Sequence, residues 1–121
     1  MEKSPFREVW VEIPDGQSMC ALINGEWGWL MYLRYNGDTG FSSRNIDYQR
    51  AAESTIEYRL NNGQHDEYPA SWAYPVNVIE HALHFFQTQQ TPPAFIHWHN
   101  DSEDGVELEY KKLTVNYNYI A

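Results

Sequence analysis

Between Asn61 and Tyr110 this chain has no lysine and no arginine. The whole sequence of 121 residues carries only eight of them, scattered, against 17 Asp and Glu, for a net charge of −9. A phosphate backbone needs clustered cations, so this balance argues against nucleic acid as a partner, and against anionic membranes as well. Cysteine is nearly absent: Cys20 stands alone, which rules out an internal disulfide and a multi-cysteine zinc site. Apolar runs are short, and none approaches the roughly 20 residues that cross a bilayer. The opening residues, Met1 to Glu8, hold no apolar stretch of the kind a signal peptide needs. There is no Gly-x-Ser-x-Gly elbow, phosphate loop or dinucleotide fingerprint; Asn36 to Gly40 has two glycines but opens no helix. The expectation from these absences is a cytoplasmic protein with no cofactor and no catalytic constellation.

What is present is acid and aromatic. The stretch from Asn61 to Tyr110 holds eight carboxylates: Asp66, Glu67, Glu80, Asp101, Glu103, Asp104, Glu107 and Glu109. Residues 1–60 are more balanced, with nine acids against six bases. A one-signed field costs the fold through self-repulsion and attracts a partner of opposite sign, although such charge also serves plain solubility. Five Trp and nine Tyr exceed what one small core needs, and both residues are enriched at protein interfaces. The length fits a single domain over residues 1–121.

Periodicity outlines an α+β fold. Strands are expected over Glu8–Ile13, Met19–Ile23, Trp27–Tyr35 and Phe41–Asn45, with Asn24-Gly25 and Asn36–Gly40 as turns. Ile46–Ser54 reads as a loop. Ser54–Leu60 alternates strictly, the signature of a half-buried strand, and Asn61-Asn62-Gly63 ends it. Gln64–Ala73 should be extended, since Pro69 and Pro75 keep their preceding residues out of helical geometry. Val76, Ile79, Leu83 and Phe86 recur at helical spacing, so a helix of about four turns is expected over Pro75–Gln89, with Pro75 in its first position and Pro92-Pro93 as the stop. A short strand over Ala94–His99, an acidic turn over Asn100–Gly105, and alternating segments at Val106–Tyr110 and Leu113–Tyr119 complete the reading. The helix should pack on one face of a mostly antiparallel sheet.

Several constellations could carry chemistry. His81 and His84 lie three apart on the helix, and His97 and His99 two apart on a strand, so four imidazoles from neighbouring elements could hold zinc in a small metal-dependent hydrolase. Their intervals match no standard ligand pattern, and the sequence around His81 is not the His-Glu-x-x-His helix of metalloproteases. Asp66-Glu67 and Asp101, Glu103 and Asp104 could supply paired acid and base groups, and Asp101–Gly105 has some likeness to a calcium loop, but acids in polar turns are usually solvated, and the calcium-loop ligand series is incomplete. Cys20 sits in an apolar run and reads as a core thiol. The aromatics Tyr68, Trp72 and Tyr74, beside Asp66-Glu67, and Trp98, before Asp101–Asp104, allow two readings. They form an interface of rings rimmed by charge, or Trp98 and Trp72 belong to the core, which is the favoured place for Trp98; a ligand-binding module with an aromatic pocket is a separate alternative. The binding face could also lie on Trp27–Arg44, with the acidic half serving solubility.

The run from Tyr74 to Trp98 resembles the immunity family one (Imm-one) proteins of bacterial polymorphic toxin systems. The shared order is a helix opened by Pro75 and ended by Phe85-Phe86, then Pro92, then a short strand ending in Trp98 and trailed by acids. Trp27–Asn45 and Ser54–Tyr68 look like the family's earlier strands, so the resemblance runs from about Ala21 to Asp101. The doubled Pro92-Pro93 and the tail from Gly105 depart from it. The resemblance implies a non-enzymatic inhibitor in the cytoplasm of a toxin-producing bacterium, bound to a cognate toxin C-terminal domain. Such toxins often resemble nucleic-acid deaminases, sometimes nucleases, and so tend to present basic clefts. The expected toxin-binding groups are Asp66, Glu67, Tyr68 and Trp72 before the helix, and Asp101, Glu103 and Asp104 after Trp98. A homodimer through a C-terminal edge strand is a further expectation.

Overall fold

The computed structural model describes residues 4–48 and 54–112. Eight strands and one α-helix follow in the order β1 (Phe6–Glu12), β2 (Ser18–Asn24), β3 (Trp27–Leu33), β4 (Phe41–Ser43), β5 (Thr55–Arg59), β6 (His65–Pro69), β7 (Tyr74–Pro75), α1 (Val76–Gln89) and β8 (Trp98–Asn100). All strand pairs are antiparallel, in a main sheet ordered β1-β2-β3-β4-β8, with β7 also on β3, and a separate β5-β6 hairpin. The α+β architecture with one main helix is therefore as expected.

The main sheet is covered on both faces, which explains the run Met19–Ile23: every residue in it is buried. A strand covered on one face alternates, whereas one sandwiched between layers reads as continuously apolar. Met19, Ala21, Ile23, Leu30 and Tyr32 pack with Val78, Ile79, Ala82, Leu83 and Phe86 of α1. Cys20, Leu22 and Trp29 point the other way and pack with Tyr58, Ile56 and Tyr68 of the hairpin. Burial of each large apolar side chain contributes about 1.5–3 kcal/mol, so the helix face and the hairpin face both matter. Burial also pushes the Cys20 thiol up to about 12, with the Glu8 charge adding to it.

Where two strands pair, residues directly opposite share a face. One continuous row therefore crosses the hairpin side of the sheet: Trp10, Cys20, Met31, Ser42 and His99. Cys20 and Ser42 in its middle are buried, while Trp10 and His99 at its ends are exposed.

Some boundaries differ from the expectation. Pro75 is the N-cap residue rather than the first helical one, because it still pairs with Trp27 of β3. The Val76 amide then donates to the Glu26 carbonyl (2.8 Å). Gln64–Ala73 is extended only to Pro69; Ala70–Trp72 form a 3-10 turn. Strand β8 is shorter than Ala94–His99, since residues 94–97 make turns around Pro93 and only Trp98–Asn100 reach β4. Val106–Tyr110 forms no strand despite its alternation. Instead Val106 is held by Asn100, whose Nδ2 donates to its carbonyl (2.8 Å), and the Lys111 amide donates to Ala94 (2.8 Å). Alternation marks a strand only when a neighbouring edge accepts it. The segment Leu113–Tyr119 lies outside the described residues, as does the middle of the expected loop Ile46–Ser54.

Candidate functional site

The helix packs on one face of the sheet and the β5-β6 hairpin on the other. On that side a ladder of stacked groups runs outward from the core. The Trp29 ring stacks on Tyr68 (4.5 Å between centroids, 18° between planes) and Tyr68 on Trp72 (5.9 Å, 25°). The Arg44 guanidinium then lies 3.5 Å from the centre of the Trp72 ring. Beyond it stands Asp101, with Oδ1 3.7 Å from Arg44. Arg44 Nη1 also donates to Ser42 Oγ (2.6 Å), which donates to Asp101 Oδ2 (2.7 Å). His99 Nε2 lies 3.6 Å from the same carboxylate.

Backbone contacts fix each member. Trp72 ends the short 3-10 turn that links β6 to β7. The Arg44 amide donates to His97 (2.9 Å), and its carbonyl accepts from the buried Tyr74 hydroxyl (3.3 Å). Tyr74 Oη in turn accepts from the His97 amide (3.0 Å). The Asp101 amide donates to the Gly40 carbonyl (2.8 Å). Arg44 is half-buried, and its desolvation pulls it below the ordinary arginine range, an effect that Asp101 and then Tyr68 oppose. Tyr68 is pushed up to about 12 by burial, then by the charge and hydrogen bond of Asp66, and by Asp101. It therefore stays a neutral phenol, and its hydroxyl donates to Asp66 Oδ2 (3.2 Å).

The fold thus joins Asp66, Tyr68 and Trp72 to Asp101, the two groups expected from the sequence. It does not join all seven residues. Strand alternation turns Glu67 to the outer face of the hairpin, where Thr55 Oγ1 donates to its carboxylate. Asp104 lies in the next loop and is consumed there: Arg34 Nη1 (2.8 Å), Asn100 Nδ2 (2.6 Å) and the Val106 amide (3.0 Å) all donate to it. Those bonds, the Val106 amide first, hold its carboxyl well below the usual carboxylate range. Glu103 is exposed, and no cation among the described residues pairs with it.

The histidines do not converge. Among the described residues, no three His, Cys, Asp or Glu are grouped to hold a metal ion. His81 stacks on Phe95 (4.9 Å), and its burial, then His84, lowers its pKa. His84 is exposed, His97 meets the edge of the Tyr110 ring (5.1 Å), and His99 faces Asp101. Residue-type reasoning about the acidic stretch missed Arg44, Arg34 and Ser42. One signal was available: Arg34 and Arg44 are the only cations from Glu8 to Gln49, which marks them as partnered rather than as general surface charge.

The residues on which the resemblance rested are structural. Phe86 and Trp98 are buried on the helix side, and Trp98 Nε1 donates to the Pro93 carbonyl (3.1 Å). The family model described as Immunity protein Imm1 matches residues 3–100. No curated protein and no solved structure matches the chain. Among the described residues, no helix is long and apolar enough to cross a membrane.

Proposed function

Because this chain belongs to the Imm1 family of immunity proteins, we propose that it neutralises a cognate toxin domain by tight binding, without catalysis, through the acidic and aromatic surface around Trp72. The observation that supports this reading is the ladder Tyr68–Trp72–Arg44 with Asp66 at one end and Asp101 at the other. Rigid stacked rings give an interface its affinity at low entropic cost, and flanking charges give it encounter rate and selectivity. The net charge of −9 favours a basic partner. A toxin that acts on nucleic acid, a deaminase or a nuclease, must itself be basic where phosphates bind, so an acidic protein can occupy that groove and release the same counterions. Glu103, exposed beside the Asp101 turn, extends the acidic rim. The setting proposed is the bacterial cytoplasm, where such a toxin would otherwise act on its producer.

The test is to express the C-terminal domain of the protein encoded in the neighbouring upstream reading frame, with and without this chain. A stable one-to-one complex and restored growth of toxin-expressing cells are expected. Growth arrest that persists despite abundant folded protein would sink the reading.

A further inference from the structure

Three of the four arginines among the described residues rest on an aromatic ring and face a carboxylate of this chain. Arg34 lies 5.0 Å from the Phe41 ring centre and 2.8 Å from Asp38. Arg44 lies over Trp72 and beside Asp101. Arg59 lies 4.6 Å from the Phe6 ring centre and 3.5 Å from Glu57. A planar guanidinium suits such a pair, because its face stacks on the ring while its edge donates to oxygen.

The sheet carries a fourth ring and carboxylate of this kind on its exposed end. Trp10 and Glu12 are two apart on β1, so both side chains leave the same face. They line one open groove of about 620 Å³, together with Ile13, Gln17, Ser18 and Leu33. Trp10 is 44% exposed, unusual for so large a ring on a strand. It is nonetheless fixed: its Nε1 donates to Glu8 Oε2 (2.6 Å), and Glu8 Oε1 accepts from the Asn61 amide of the hairpin turn (2.8 Å). A held, outward aromatic loses little freedom on contact, the property of an interface anchor. Among the described residues, no cation of this chain pairs with Glu12 or stacks on Trp10.

We infer that the Trp10–Glu12 groove is a subsite for an arginine side chain presented by a basic segment of the toxin. The identification of the partner rests on the immunity reading above; the arginine chemistry rests on the groove alone. The groove lies at the Trp10 end of the sheet row that ends in His99 beside Asp101, so it forms a second contact point on the same face as the Trp72 ladder.

Two measurements test it. In the first, a tri-arginine peptide is titrated into the isotopically labelled protein while the Trp10 indole resonance is followed. A saturable shift that weakens roughly two- to fivefold in Glu12→Gln, and that tri-lysine reproduces only weakly, is expected. No movement of the Trp10 indole, equal movement with tri-lysine, or a shift explained by a Trp10-dependent dimer overturns the inference. In the second, Trp10→Ala and Glu12→Lys are compared with wild type for binding the neighbouring toxin domain, with thermal melts to confirm folding. Loss of about tenfold or more in affinity supports the subsite. Wild-type affinity in both folded variants overturns it and leaves the immunity reading standing. Failure of the wild type itself to bind sinks the immunity reading, and the peptide titration still decides the groove.

Discussion

The Arg44 guanidinium lies 3.5 Å from the centre of the Trp72 ring. This contact joins a strand-end cation to a ring from the turn beyond the hairpin, and it places a positive group at the centre of what the sequence presents as an acidic stretch. The surface around it is polarised rather than uniformly negative. Asp101 stands against the stacked cation, Asp66 accepts from the Tyr68 hydroxyl at the other end of the ladder, and Glu103 pairs with no cation among the described residues.

Trp72→Ala removes a ring that stacks with Tyr68 and carries the Arg44 guanidinium. One aromatic pair and one cation–π contact are worth about 2 kcal/mol together. Urea denaturation should show a loss of that order with an unchanged slope. Toxin affinity should fall further than stability alone accounts for.

Gly40 has φ +81°, and a Cβ there would meet the Tyr32 carbonyl oxygen at 2.5 Å. Gly40→Ala is therefore expected to cost about 2–4 kcal/mol, from backbone strain and from a clash that backbone cannot relieve. Because the Gly40 carbonyl accepts from the Asp101 amide, the same variant should shift the Asp101 and Ser42 resonances before global unfolding.

Asp38 is buried and accepts from Arg34 Nε (2.8 Å), Nη2 (2.9 Å) and the backbone amide (3.0 Å). The Arg34 side chain, ahead of the backbone amides, lowers its pKa from 3.8 to about 2. The unfolded chain therefore takes up the proton first as acid is added. The stabilisation is complete above the unfolded value of 3.8 and is lost as pH falls through about 2. Thermal melts of wild type should decline across that window. Asp38→Asn should be less stable by about 2 kcal/mol at neutral pH and flatter across the same range.

Glu103 and Asp104 are adjacent acids with different roles, so their charge reversals should separate. Glu103→Lys should leave the melting temperature unchanged, slow toxin association several-fold at low salt, and weaken the salt dependence of that rate. Asp104→Lys should lower the melting temperature, because it places a cation against Arg34 and removes the carboxylate that accepts from Asn100 Nδ2 and the Val106 amide. Stopped-flow association alongside calorimetry distinguishes the two. Equal association rates for Glu103→Lys and wild type would remove Glu103 from the binding rim.

Much of the fold was legible because it is local. The strands β1 to β5 and the helix follow from alternation, from the uninterrupted run Met19–Ile23 and from the spacing of Ile79, Leu83 and Phe86. The C-terminal alternation at Val106–Tyr110 misled because pleat-like spacing does not supply a partner edge. In the site, Tyr68, Trp72 and Asp101 were legible as residue types. Glu67 was not separable from Asp66 until β6 was known to pair, since pairing fixes which alternate residues face inward.

By itself the sequence determined the class of fold, the helix, the family frame Phe86–Pro92–Trp98 and the excess of acid, all properties set by neighbours along the chain or by composition. Only the tertiary structure decided where that acid is free. The order β3-β4-β8 carries Arg34 and Arg44 from the N-terminal half to Asp104, 70 positions away, and to Asp101. Ion pairing depends on distances of a few ångströms in space, which strand order sets and residue counting along the chain does not.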